Sequence, residues 1–321
     1  MSRKTKNTFD PYVWSKKRIN TLVGKIGIIK DDGLSLSPGQ IWSLKKLLFL
    51  DYYVRAFVTI IRKNDFKNWY YVDTHSGTGL IGFEEQDLIK ERFPGSPLVA
   101  AFRSPEYVFT HYFFSDIDDN SIISLKKRLQ SIKPLTGEMD YTAQTMDFKK
   151  TVEFIESKKK FGNAFLIFVD PKGYSEIKWE LMKKLLSIST ADIVFTFMTY
   201  SIAFNKETAL ENPTTAQSFN DFFGNENWKT CEDGNALVEL YCSQIRQFKK
   251  YVEVIPVFQT GERKLYDLII ATNSKGGSNV IGDARRIMEV TTTELFRDAL
   301  KVVTGKTTEI TQFFGNSDQK I

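Results

Sequence analysis

The chain has 321 residues, 42% hydrophobic and 26% charged, with a net charge of +5. These are the proportions of a folded globular protein, and they exclude disordered and collagen-like classes. The longest uncharged apolar run, "AFLIFV" (164–169), is too short to span a bilayer, and two Cys with two His supply neither a disulfide framework nor a zinc site.

Residues 1–30 carry eight basic residues against one acid, a local charge of +7. Phe9, Tyr12 and Trp14 are interleaved with them. Such a segment suits phosphates and bases, and it equally suits a solubilising tail or a partner-docking arm. It lacks the apolar core of a secretory signal, so a soluble, cytoplasmic chain without membrane attachment is expected. Ser37, Pro38 and Gln40 then read as cap, first position and capping box of a long helix running to about residue 61.

From residue 68 strands and helices alternate. Strands are predicted at 68–73, 107–116, 139–147, 163–170 and 191–200, and helices at 95–104, 119–132, 148–160 and 175–188. Asp119 or Asn120 is the expected cap of the second of these helices. The nearly all-apolar "NAFLIFVD" (163–170) suits the buried centre of a parallel sheet. Residues 205–249 read as helical, interrupted at Pro213 and Gly224. Residues 249–273 read as an antiparallel hairpin turning at 260–262, and residues 282–301 as a last helix. The alternation predicts an α/β sheet with right-handed crossovers.

Four predicted strands end in an acid: Asp73, Asp116, Asp147 and Asp170. Each taken singly also fits a helix cap. Together they line the carboxyl edge, where open α/β sheets bind ligands. After Asp73, "THSGTG" puts Gly77 and Gly79 where backbone can approach a ligand closely. Asp116 then suits ribose hydroxyls, and Asp147 an adenine amino group, with Phe148 packing on the ring. That is the logic of an S-adenosylmethionine site. "GTGLIG" (77–82) also matches the dinucleotide fingerprint, but no helix opens on it and Asp116 lies too far along the chain.

"VDTHSGTG" resembles the first motif of class I S-adenosylmethionine-dependent methyltransferases. With "PGSPLVA" (94–100), "FVDPKGYSEIKWELMKKLL" (168–186) and "YDLIIATNSKGG" (266–277), it is similar to the three-Cys-motif partner family. The resemblance implies a Rossmann-like sheet with an antiparallel last strand, flanked by helical N- and C-terminal segments. It implies S-adenosylmethionine as cofactor and a partner protein bearing a three-cysteine, radical-enzyme-like motif. The chain reads as a basic extension and helix (1–65), a methyltransferase-like domain (66–275) and a C-terminal helical segment (276–321). His75 departs from the pattern, facing either the cofactor or a substrate group, or packing under the turn. The loop 80–94 reads as an insertion.

"DPKGY" (170–174) is similar to the D-P-P-Y motif of amino-methyltransferases. There an acid orients an exocyclic base amine and an aromatic ring stacks on the flipped base. Asp170, Pro171 and Tyr174 take those roles here, although Lys172 replaces the second Pro and Gly173 displaces Tyr174. The structural alternative has Asp170 and Pro171 capping a helix and Tyr174 packed on Trp179. The favoured function is methyl transfer to a base amine. The alternative is a non-catalytic cofactor- or nucleic-acid-binding partner.

Overall fold

The computed structural model describes residues 9–103, 105–259 and 263–305. Arg3, Lys4 and Lys6 of the basic segment, the hairpin turn at 260–262 and the tail after Gly305 lie outside the described residues.

The first described helix, α1 (Pro11–Lys25), follows Asp10, whose carboxylate accepts from the amides of Tyr12 and Val13. Sequence reading missed this helix, although an acid followed by Pro is a start signal. Its Ile19, Leu22 and Val23 are buried, and Phe9 and Trp14 pack on Tyr52. Two of the three aromatics of the basic segment are therefore part of the packed structure.

Residues 37–39 are not a helix start. They form a short strand, β1 (Ser37–Gly39), and the helix α2 (Leu44–Ile61) begins after a single 3₁₀ turn. The reason is that Ser37 has better partners: its amide donates to Thr78 Oγ1 and its Oγ accepts from the Thr78 amide, both at 3.0 Å.

β2 (Asn68–Asp73) matches its expected bounds. The loop expected at 80–94 is a hairpin, β3 (Leu80–Phe83) with β4 (Arg92–Pro94), which joins β1 in a small three-stranded sheet. Then come α3 (Ser96–Ala101), β5 (His111–Asp116), α4 (Asp119–Ser131), a single turn α5 (Lys133–Thr136) and β6 (Tyr141–Thr145). β5 starts four residues later than expected, because residues 105–107 form a 3₁₀ turn. Asp118, not Asp119 or Asn120, caps α4, accepting from Ser121 N at 2.9 Å.

There follow α6 (Phe148–Lys158), β7 (Asn163–Val169), α7 (Trp179–Leu186) and β8 (Ala191–Phe197). The helical region resolves into α8 (Thr199–Glu211), α9 (Pro213–Phe223) and α10 (Gly234–Ile245). Pro213 sits at the first position of α9, and Gly224 ends it in the left-handed conformation at φ 70°. β9 (Tyr251–Phe258) and β10 (Lys264–Thr272) form the antiparallel hairpin. The expected last helix is two, α11 (Lys275–Val290) and α12 (Thr293–Gly305), both against α1.

The main sheet runs β6-β5-β2-β7-β8-β10-β9, parallel from β6 to β8, with β10 antiparallel to both neighbours. Its two faces are covered by helices, and β7 shows how. Leu166 and Phe168 join the cluster of Leu48, Val54 and Ile287 on one face. Phe165, Ile167 and Val169 join that of Val152, Leu185 and Tyr241 on the other. A strand covered on both sides has no solvated face, which is why its sequence is continuously apolar. Among the described residues no helix is long and apolar enough to cross a membrane.

One buried cation ties these parts together. Arg128 of α4 is fully buried and forks onto both oxygens of Asp32 at 2.8 and 2.9 Å. It also donates to the carbonyls of Ser35 and Thr78, each at 2.8 Å. Arg128→Met leaves those acceptors unmatched and is expected to cost about 3 kcal/mol of stability. Arg128→Lys, which cannot reproduce the planar fork, is expected to recover little of it. Chemical denaturation of both variants checks this, and a loss under about 1 kcal/mol for either would show the fork to be dispensable.

Candidate functional site

The strand order reverses between β2 and β7, so the crevice for a ligand opens at their carboxyl ends. The turn after β2 spans that switch point. Thr74 N donates to Phe168 O on β7 (3.1 Å), and Ser76 N donates to Ser115 O on β5 (2.9 Å). Gly77 and Gly79 have φ of 58° and 85°, the left-handed region that L side chains rarely adopt. A Cβ at Gly77 would stand 2.5 Å from Ser37 Oγ, and one at Gly79 would stand 2.9 Å from Leu125 Cδ1. Both glycines are therefore needed for the turn's path and for its contacts.

Asp116, at the end of β5, stiffens the turn from the other side. Its Oδ2 accepts from Gly77 N at 2.8 Å, and its Oδ1 from Asp118 N at 3.0 Å. Each oxygen keeps one lone pair for a ligand hydroxyl. The next residue, Ile117, is 74% exposed, an apolar surface beside that carboxylate. Ser76 Oγ is buried without a hydrogen-bond partner among the described residues, an orphan within the turn.

Charge gathers at this edge. Asp73 is fully buried, and desolvation pushes its pKa up to about 7, opposed by a hydrogen bond from Ser96 and reinforced by the nearby Asp170 charge. Tyr71 OH and His75 N also donate to Asp73, at 3.3 and 3.4 Å. Burial drives His75 down to about 4, so its ring is neutral at pH 7. The ring stacks on Phe148 at 5.8 Å, with Nδ1 2.8 Å from Thr74 Oγ1 and Nε2 3.5 Å from Glu176. With a neutral imidazole, the Glu176 contact is not an ion pair. Asp170, just past β7, is held by Lys46 Nζ at 2.7 Å, and Lys46 also lies over the Tyr266 ring at 5.4 Å.

Of the residues singled out by sequence, Asp73, His75, Gly77, Gly79, Asp116, Phe148 and Asp170 converge on this edge. Asp147 is exposed and caps α6, its Oδ1 accepting from Lys150 N at 2.7 Å. Pro171 is buried. Tyr174 is half-buried. Its ring packs edge-on to Phe219 (5.0 Å) and Phe222 (5.9 Å) of α9, not on Trp179, which meets Tyr241 and Phe248. Sequence reading passed over Lys46, Ile117 and Glu176. Ile117 was findable as the apolar neighbour of a strand-end acid, and Glu176 lies two residues past a singled-out Tyr. Lys46 carries no local signal, being 124 residues from its partner Asp170. Among the described residues no group of three or more His, Cys, Asp or Glu side chains is set to hold a metal.

No family model matches the chain, and no curated protein matches it. Solved structures resemble it in fold. A Legionella pneumophila protein of family-model DUF519 has a TM-score of 0.43 at 13% identity, covering 73% of this chain and 90% of its own. Trm1 from Pyrococcus horikoshii, solved with S-adenosyl-L-methionine, has a TM-score of 0.37 at 12% identity, covering 74% and 58%. Magnesium protoporphyrin IX methyltransferase from Synechocystis, with bound SAH, has a TM-score of 0.33 at 9% identity, covering 80% and 99%. Similarities this distant carry no inference about reaction or acceptor, which rest on the geometry above.

The Asp73 shift fixes the sign of a pH effect. The unfolded chain ionises this carboxyl near its ordinary 3.8, the folded chain near 7. Its destabilising effect therefore grows as pH rises from about 4 to about 7 and is constant above. Between pH 5 and pH 8 the stability of Asp73→Asn relative to wild type should rise by about 3 kcal/mol. Parallel melting curves would reveal it, and a difference that does not change with pH would mean Asp73 ionises normally in the fold.

Proposed function

We propose that the chain binds S-adenosylmethionine across the carboxyl ends of β2, β5 and β6 and transfers its methyl group to an acceptor beside Asp170. The observation that carries this is the left-handed turn at Gly77 and Gly79, locked to Asp116 at the switch point of a sheet with an antiparallel strand. Its two side-chain-free positions let the methionine end approach the backbone, and the orphan Ser76 Oγ offers that end a polar partner. The open lone pairs of Asp116 suit two vicinal ribose hydroxyls. Ile117 suits one face of an adenine and the exposed carboxylate of Asp147 its amino group, whereas Phe148, expected to pack on the ring, is buried with His75 stacked on it. When bound, the cofactor's sulfonium supplies an electrophilic methyl group.

Asp170 then acts on the acceptor. A carboxylate that accepts a hydrogen bond from an amine turns the nitrogen lone pair toward the methyl carbon. A C–N bond forms as the C–S bond breaks, and the displaced proton leaves to Asp170 or water. Positioning supplies most of the acceleration. The finer form of the proposal is an exocyclic amine of a nucleic-acid base. Asp170 and Pro171 support it, and Tyr174 is half-buried, held in T-shaped contact with Phe219. A second reading is favoured by the Lys46 contact at 2.7 Å, which occupies the carboxylate the acceptor needs. In that reading the chain is a non-catalytic partner, binding cofactor or nucleic acid in support of a three-cysteine-motif protein.

Titration calorimetry with S-adenosylmethionine and with NAD separates the cofactors, and labelled methyl transfer to DNA, RNA and protein separates the readings. Wild type should bind the former and not the latter, with Gly77→Ala and Asp116→Ala each weakened at least about tenfold, roughly one lost charge-assisted contact. Asp170→Ala should bind nearly as wild type yet lose about 100-fold or more in transfer. Binding without transfer to any acceptor would favour the partner reading, and no binding of either cofactor would end the proposal.

A further inference from the structure

The opposite edge of the main sheet, beneath the amino ends of its parallel strands, carries a second surface. A cleft of about 600 Å³ opens there, lined among others by Phe66, Lys159, Lys160, Phe161, Ser189 and Thr190. Phe161 is 100% exposed, the most exposed large apolar side chain among the described residues. Its loop is anchored rather than loose. Gly162 turns it at φ 85°, and Gly162 O accepts from the amides of Lys67 (2.7 Å) and Asn68 (3.2 Å).

The surface continues along the edge. Asn273 Nδ2 donates to Ser189 O at 3.1 Å, and Lys250 N donates to Asn273 Oδ1 at 2.8 Å. Lys250 and Lys275 both lie over the Tyr251 ring, at 5.6 and 5.4 Å. Lys63, Lys67, Lys159, Lys160, Lys250 and Lys275 therefore border one edge, and none of them forms a side-chain ion pair among the described residues. Asp65 is the one carboxylate lining the cleft. From β2 to β9 the edge crosses four strand spacings, about 19 Å.

We propose that this edge binds single-stranded nucleic acid, with Phe161 stacking on a base and the flanking lysines neutralising phosphates. Unpaired cations around a presented aromatic ring are the two parts of a sequence-tolerant single-strand site. A protein partner would need a contiguous apolar patch, and here Ile188 is buried and Phe66 half-buried, leaving one ring. A duplex would engage the lysines but leave the ring without a base to stack on. The site is distinct from the carboxyl edge and does not depend on methyl transfer. It is also distinct from the basic N-terminal segment.

Fluorescence anisotropy of the full chain with labelled single strands of about 12 nucleotides, RNA and DNA, tests this between roughly 50 and 200 mM salt. The affinity should fall with salt with a log–log slope approaching about −4, and Lys159→Ala with Lys160→Ala should reduce that slope by about 1.4. Phe161→Ala should weaken binding at least about fivefold and leave the slope unchanged, because stacking is lost and charge is not. These side chains are exposed, so circular dichroism of the variants should be that of wild type. The proposal is overturned by no binding at the low salt, or by variants that bind as wild type. It is equally overturned if binding disappears only on removal of residues 1–8, or if anionic vesicles or an acidic peptide bind and oligonucleotides do not compete.

Discussion

The turn after β2 is held by two charged side chains acting on peptide groups almost next to each other. Asp116 accepts from the amide of Gly77, and Arg128 donates to the carbonyl of Thr78. A backbone with two left-handed residues has a high conformational entropy when unfolded, so it holds one shape only when its polar groups are matched from outside. Each clamp is itself anchored. Arg128 is braced by Asp32 and buried in α4, and Asp116 is fixed by the strand it terminates. β1 adds a third hold through Ser37 and Thr78. The small sheet of β1, β3 and β4 thus serves the site: it closes the turn's outer side.

Acids gather at one edge of the main sheet, with Lys46 and Lys172 among them. Asp73, Asp116, Asp170 and Glu176 collect at its carboxyl edge, while lysines border the amino edge. At the carboxyl edge burial raises Asp73 and Glu176, and the charges of Asp170 and Asp116 add to the respective shifts. A cationic ligand seated among these acids would relieve that repulsion, and a sulfonium bearing an α-ammonium group is such a ligand. The neutral His75 fits the same setting. A ring that stays uncharged at pH 7 packs on Phe148 without adding a cation to a site shaped for one.

Much of this was legible in the sequence, and the parts that were not share a cause. The alternation from residue 68 to 200 was readable because the central strands β7 and β8 are buried on both faces and the helices between strands on one, so the pattern reports on burial. The acids were readable because Asp73 and Asp116 end their strands and Asp147 and Asp170 follow theirs within two residues. Ser37 was misread because its capping signature is local, whereas its partner Thr78 is 41 residues away. Lys46 was invisible for the same reason. Tyr174 was read from a motif, but the motif does not specify what α9 brings against the ring, and Phe219 and Phe222 do. The first helix failed differently: its charges outweigh its apolar stripe, and a basic composition drew the reading toward an arm.

The Lys46–Asp170 contact bears on both functional readings, and its environment decides how firmly it blocks the site. Compare Asp51, which meets Arg103 at 2.6 Å and Arg18 at 2.9 Å with a side chain that is 0% exposed. Breaking that group would strand a charge in the core, a structural commitment. Lys46 and Asp170 retain side-chain exposures of 15% and 20%, so water already competes for both. The pair is largely buried, yet both ends keep some contact with water, which Asp51 does not. An acceptor amine that takes the place of Lys46 on Asp170 exchanges one hydrogen-bond donor for another, so the carboxylate is not left unmatched. The displaced ammonium keeps the Tyr266 ring as a neighbour, where a cation on an aromatic face is still favourable. The contact seen here is compatible with a carboxylate kept in position until an acceptor arrives.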